Sequence, residues 1–177
     1  MWNIKYILIS ILAVVFSFVV HEFSHWLYGE FLGYDMIMTL NTVYPASGKY
    51  NAQSDYMLIS AVGPIITLIQ TVVFFFLLTR SKNLYFFPFL FNSFYLQLMS
   101  GVMNFSRPND LGRISSYLEL GLFTIPILAM LLHSILFFRA IKLNEIKKKS
   151  VWITVFYAIL FSSIWILTNQ FFKVILI

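Results

Sequence analysis

The chain has no cysteine. That excludes disulfides, thiolate metal ligands and a cysteine nucleophile, so any tightly held transition metal must rest on imidazole and carboxylate. Charge is scarce as well. Only 11% of the 177 residues are charged, against about 25% in soluble domains. The acids number seven and the histidines three, while 60% of the chain is hydrophobic and the mean hydropathy is +0.83. A water-facing surface cannot be built from so little polar material. The composition therefore predicts an all-α, multi-pass integral membrane protein, folded as a single domain over residues 1–177 with no room for an added soluble domain of ordinary size. The net charge of +5 does not point to nucleic acid, because the basic residues fall mostly in short loops, as they do in membrane proteins generally.

Hydropathy marks five apolar spans, at residues 4–27, 56–79, 84–105, 120–138 and 151–172, each near the length a bilayer demands. Lys5 followed by an apolar stretch resembles a signal peptide. No small-x-small cleavage site precedes residue 21, however, so the segment reads as a retained first span. The long polar connection, residues 33–55, contains a run rich in strand formers at 36–44, followed by Pro45 and Gly48 as turn signals. A short β-ribbon between the first and second spans is expected there. Its free edge, at Thr42 and Val43, could hold an extended peptide by main-chain pairing; an ordinary interfacial loop is the alternative. Arg139, Lys142, Lys147, Lys148 and Lys149 stand against one acid, Glu145, in the last polar connection, which marks a cytoplasmic loop.

Against this apolar background, His21-Glu22-Phe23-Ser24-His25 stands out at the end of the first span. Residues i and i+4 share a helix face, so the two imidazoles can grip one Zn²⁺, and the glutamate between them can act as general base on a metal-bound water. By composition, a chance HExxH has odds of about one in a thousand, and polar groups in lipid need compensation. A catalytic zinc site needs a third protein ligand and an open position. Among the other acids, Asp110 and Glu119 remain as candidates; His133, mid-way along the fourth span, reads as a side chain hydrogen-bonded within the bundle. Asp110 lies in a polar, Pro- and Gly-containing break at residues 104–113, and irregular backbone at membrane depth is tolerated where it lines a cavity. With an up-down-up path, the ends of spans one and three share one depth, so Asp110 can reach the histidines.

Three elements now resemble, in order, the site-2 protease family of intramembrane zinc metalloproteases: the HExxH at 21–25, Gly63-Pro64 within Ala61-Val62-Gly63-Pro64-Ile65, and the Asn/Pro/Asp-Gly segment at 104–113. The chain departs from the family where Ser24 replaces a usual Gly, where Thr67 stands in the region of a usual Asn, and where Leu111 separates Asp110 from Gly112. The resemblance covers roughly residues 10–120, which would form the protease core, while residues 121–177 would add two helices that match nothing specific. It implies Zn²⁺ held by His21, His25 and Asp110, and hydrolysis of peptide bonds in a transmembrane protein or peptide that unwinds locally. The expected setting is the bilayer of the cell membrane. Asn104 and Asn109, with Thr42 and Val43, are candidate substrate-binding residues.

Two other functions fit parts of the pattern. One is a gluzincin-type membrane protease with Glu119 as third ligand. The other is a non-enzymatic transporter or assembly factor that uses the buried His, Glu and Asp. Orientation divides as well. Lys5, Arg80, Lys82 and the 139–149 cluster fall on one side, which the charge rule makes cytoplasmic, placing the HExxH toward the outer face. The family resemblance implies a site nearer the cytoplasm.

Overall fold

The computed structural model describes residues 4–177. Apolar runs of this length become helices because a helix satisfies every backbone group within itself, as a lipid environment requires. Four helices are long and apolar enough to cross a membrane, compatible with a multi-pass membrane protein: α1 (Ile4–Phe31), α2 (Gln53–Ser81), α5 (Thr124–Leu143) and α6 (Lys148–Phe172). Helix α1 does not stop at the HExxH but continues to Phe31; its 28 residues span about 42 Å, beyond a hydrocarbon core of about 30 Å. The third expected span is shorter than the others. A 3₁₀ turn (Leu84–Phe86) leads into α3 (Phe87–Met103), whose 17 residues reach only about 26 Å. The polar break after it ends in a short helix, α4 (Asp110–Tyr117).

Polarity is arranged inside-out. Ser17, Thr67, Gln70, Thr71, Asn92, Ser93, Gln97 and His133 are buried between helices, while Leu12, Ile65, Ile69, Phe76, Leu131 and Trp152 are exposed. Interior polar groups find one another: Gln70 Nε2 donates to Ser17 Oγ at 2.6 Å, and Thr71 Oγ1 lies 2.8 Å from His133 Nδ1. At one end of the bundle, Leu78, Phe87, Phe91, Phe137 and Ala158 form an apolar core. Lys82 there donates to the carbonyl of Leu143 at 2.8 Å, tying the ends of α2 and α5 together.

The opposite end carries the ribbon. β1 (Met36–Met38) pairs antiparallel with β2 (Val43–Pro45), Ile37 opposite Tyr44. Pro45 is the last residue of β2 rather than a turn beyond it. Thr39 N donates to Thr42 O and Ala46 N to Asp35 O, so the intervening Met38–Val43 and Met36–Pro45 pairs are of the non-bonded kind and turn their backbone groups outward. Proline is tolerated there because its missing N–H would face away from the partner strand. On the β1 side those outward groups are used: Met38 N donates to Ile177 O at 3.0 Å and Met38 O accepts from Leu176 N at 2.8 Å. The ribbon is fixed from both flanks. Trp26 and Glu30 of α1 bond the carbonyl and N–H of Met36 at 3.1 and 2.7 Å, and Trp165 of α6 donates to Leu40 O at 2.8 Å.

Candidate metal centre

Gly63 explains how two helices come close enough to build a site. A Cβ at this position would collide with both the His25 and the His21 imidazoles, so only glycine lets the α2 backbone lie against the HExxH face of α1. Pro64 follows. It has no N–H to donate to the carbonyl of Ser60, so one helical hydrogen bond is missing from the preceding turn. Within that turn the carbonyl of Ile59 accepts from His25 Nδ1 at 2.6 Å.

These contacts assign the tautomers. A carbonyl can only accept, so His25 carries its proton on Nδ1. His21 Nδ1 lies 2.8 Å from Thr67 Oγ1, whose hydroxyl donates to Gly63 O at 3.0 Å, so His21 also donates from Nδ1. Both imidazoles therefore present an Nε2 lone pair to the same space, in the manner of metal ligands oriented by their outer neighbours. The two Nε2 atoms are 3.2 Å apart, and Asp110 Oδ2 lies 3.4 Å from His21 Nε2 and 3.6 Å from His25 Nε2. Three acceptor atoms so close repel one another unless a cation sits among them. Tetrahedral ligands at 2.0–2.1 Å from a zinc ion are about 3.3 Å from one another, close to the observed triangle. The donor set, two imidazoles and one carboxylate with a fourth side open, suits a catalytic rather than a closed structural ion.

Asp110 arrives through the break after α3. Asn104 Oδ1 accepts from Asn109 N at 2.7 Å, while its Nδ2 donates to Ser100 O at 3.0 Å, so the turn folds around one buried amide. A Cβ on Gly112 would strike that amide. The inserted Leu111 is absorbed on the first turn of α4, where it is buried, and Gly112 supplies the close approach one position later. Asp110 begins α4, so its charge sits at the positive end of a helix. Asp110 also pairs with Arg113, Oδ1 to Nη2, at 2.5 Å. The carboxylate thus faces the histidines and an arginine at once.

The cavity over the centre has a volume of about 540 Å³. Glu22, 8% exposed, lines it together with both histidines and Asp110, and so do Thr42, Val43 and Asn109. Asn104 does not line it; its amide is spent on the turn. Tyr50 and Tyr56 form part of the wall and were not legible as site residues, since nothing in their sequence neighbourhood sets them apart. Burial and the neighbouring Tyr56 push the Tyr50 phenol up to about 12, so it is neutral at physiological pH. Among the described residues, His21, His25 and Asp110 form the one group of three able to hold a metal. Glu119, the rival third ligand, lies outside it, exposed and with a left-handed backbone (φ 58°) between α4 and α5. Comparison with protein-family profiles, characterised proteins and solved structures found no match.

Proposed function

We propose that this chain is an intramembrane zinc metalloprotease that hydrolyses peptide bonds in transmembrane protein or peptide substrates. The observation that carries the reading is the triangle of two Nε2 lone pairs and one carboxylate oxygen, all facing inward, at the end of long apolar helices. When bound, the ion would supply Lewis acidity and a water of lowered pKa. His21, His25 and Asp110 would hold it. Glu22, in the same cavity, accepts the proton of the attacking water and delivers it to the leaving amine. The shape of the cavity limits what enters. One turn of helix with its side chains, 10–12 Å across and 5.4 Å long, fills about 500 Å³, so the cavity takes a short stretch of chain and not a whole transmembrane helix.

Val43 supports the pairing of that stretch with the ribbon. Its outward N–H and C=O belong to the β2 edge, and Val43 lines the cavity, so an extended substrate can add as a further strand. The N–H of Thr42 is directed instead to Thr39 Oγ1 at 3.1 Å, which leaves Thr42 to shape the turn and line the wall. The multi-pass arrangement comprises the four long helices and the shorter α3 as a fifth pass, in the cell membrane. Its basic end lies opposite the metal centre, so the charge rule puts the centre in the outer half.

Metal analysis of detergent-purified protein, paired with cleavage of a model transmembrane peptide, tests the reading. One zinc per chain is expected, lost in His21→Ala and His25→Ala. Glu22→Gln should keep the zinc and lower turnover at least about a hundredfold. Full zinc in both histidine variants, or undiminished turnover in Glu22→Gln, would remove the basis for the proposal.

A further inference from the structure

The two oxygens of Asp110 have different neighbours. Oδ2 faces the imidazoles at 3.4 and 3.6 Å, while Oδ1 accepts from Arg113 Nη2 at 2.5 Å. An Asp–Arg pair three residues apart on an exposed helix is loose and worth a few tenths of a kcal/mol. This pair is not of that kind, because the guanidinium is itself held on several sides. Its Nε and Nη2 donate to Ser60 Oγ at 3.3 and 3.2 Å, its Nη1 donates to Pro108 O at 3.3 Å, and its Cζ lies 4.9 Å from the centre of the Tyr56 ring. Tyr56 and Ser60 belong to α2; Ser60 directly follows Ile59, whose carbonyl holds His25, and shares a helix face with Gly63, which abuts both imidazoles. Arg113 therefore ties the helix that carries the acid to the helix that sets the histidines. Only a planar, multidentate cation can bridge in this way.

The consequence concerns the fourth coordination position. A carboxylate can bind a cation through one oxygen or chelate it through both. Chelation by Asp110 would turn Oδ1 into the space that an attacking water needs. We propose that Arg113 is a positioning residue that withholds Asp110 Oδ1 from the ion, keeping the carboxylate monodentate and the fourth position open. The inference rests on the metal reading above and extends it to a residue outside the ligand set. It separates two properties that ligand variants lose together. Without Arg113 the ion stays, because three ligands remain, but Oδ1 joins it beside the water, raising the coordination number from four to five and crowding the position the attacking water needs.

Cobalt(II) is the probe, since its visible absorption is intense in four-coordinate sites and weak when the coordination number rises. Wild-type protein should take up one Co²⁺ with an intense visible band. Arg113→Gln should still bind one Co²⁺, with an affinity within about threefold of wild type, but with the band at least halved, and peptide cleavage by the zinc form should fall at least tenfold. Arg113→Lys, which reaches Asp110 but cannot also hold Ser60, should be intermediate. Ser60→Ala should move both readouts in the same direction by a smaller amount, and it carries the test should Arg113→Gln not fold. An unchanged band in Arg113→Gln, or in Ser60→Ala where that variant stands alone, overturns the positioning role while leaving the metal reading intact. Loss of Co²⁺ from Arg113→Gln in a folded protein overturns it too, since Arg113 would then be needed for binding itself. Absence of a Co²⁺ site in wild type would instead remove the metal reading and this inference with it.

Discussion

At the scale of single residues, the site depends on atoms one bond beyond the ligands. Thr67 illustrates this. In the sequence it is only a threonine four residues after Gly63, standing where a resembling family tends to have Asn. In the fold its hydroxyl accepts from His21 Nδ1 and passes its own proton to Gly63 O. It thereby fixes which nitrogen of His21 faces the centre. Thr67→Val keeps the shape and removes the acceptor, leaving a buried N–H unpaired. Metal affinity, measured by competition with a chromogenic chelator, should fall about 10- to 100-fold, with helical content unchanged. Equal affinity in the two proteins would mean that the Gly63 and Ile59 contacts suffice to hold the pair. The HExxH was legible because its spacing follows from the helix period alone. The partner of each Nδ1 was not, because it lies 46 residues away for His21 and 34 for His25.

At the scale of elements, the ribbon and a free edge at Thr42 and Val43 were readable from the run of strand formers, but which edge the chain itself occupies was not. A two-stranded ribbon has two edges. One of these is taken up by the chain itself, through Met38 with Leu176 and Ile177. The other, at Val43, is turned outward beside the cavity. Val43→Pro removes that outward donor while sparing the bonds to β1, because Val43 sits in a non-bonded pair. One backbone hydrogen bond is worth about 0.5–1.5 kcal/mol, so kcat/KM for the model peptide should drop about three- to tenfold with bound zinc unchanged. Cleavage at the wild-type rate would show that substrate does not pair with this edge. The last two helices looked unassigned in the sequence. They are used structurally: His133 of α5 meets Thr71, and Trp165 and Asn169 of α6 bond the ribbon turn.

At the scale of the whole molecule, charge is polarised along the bundle. Arg80 and Lys82 at the end of α2 and Lys142 at the end of α5 gather at one end, where Lys82 meets the carbonyl of Leu143. The candidate metal centre and the ribbon lie at the other. Because the chain has no cysteine, any introduced cysteine is the sole thiol, and orientation can be mapped without removing a background. A membrane-impermeant thiol reagent applied to intact cells should label Ser47→Cys, in the exposed turn after β2, and spare Lys147→Cys in the basic loop. Labelling of Lys147→Cys alone would invert the charge-rule orientation and put the centre near the cytoplasm.

The sequence by itself determined the four long helices and the shared face of the first two candidate ligands. Long apolar runs can satisfy their backbones in only a few ways, and the i, i+4 spacing of His21 and His25 puts them on one face whatever the rest of the chain does. It also narrowed the metal chemistry, since without thiols only imidazole and carboxylate remain. Tertiary structure decided everything that depends on which helix lies beside which. It chose between Asp110 and Glu119, because only one of them reaches the two Nε2 atoms. It gave each oxygen of Asp110 its own partner, the two imidazoles for Oδ2 and Arg113 for Oδ1. It also turned Gly63 and Gly112 from small residues into points of contact, since the need for a missing Cβ is visible only once the neighbouring side chain is in place.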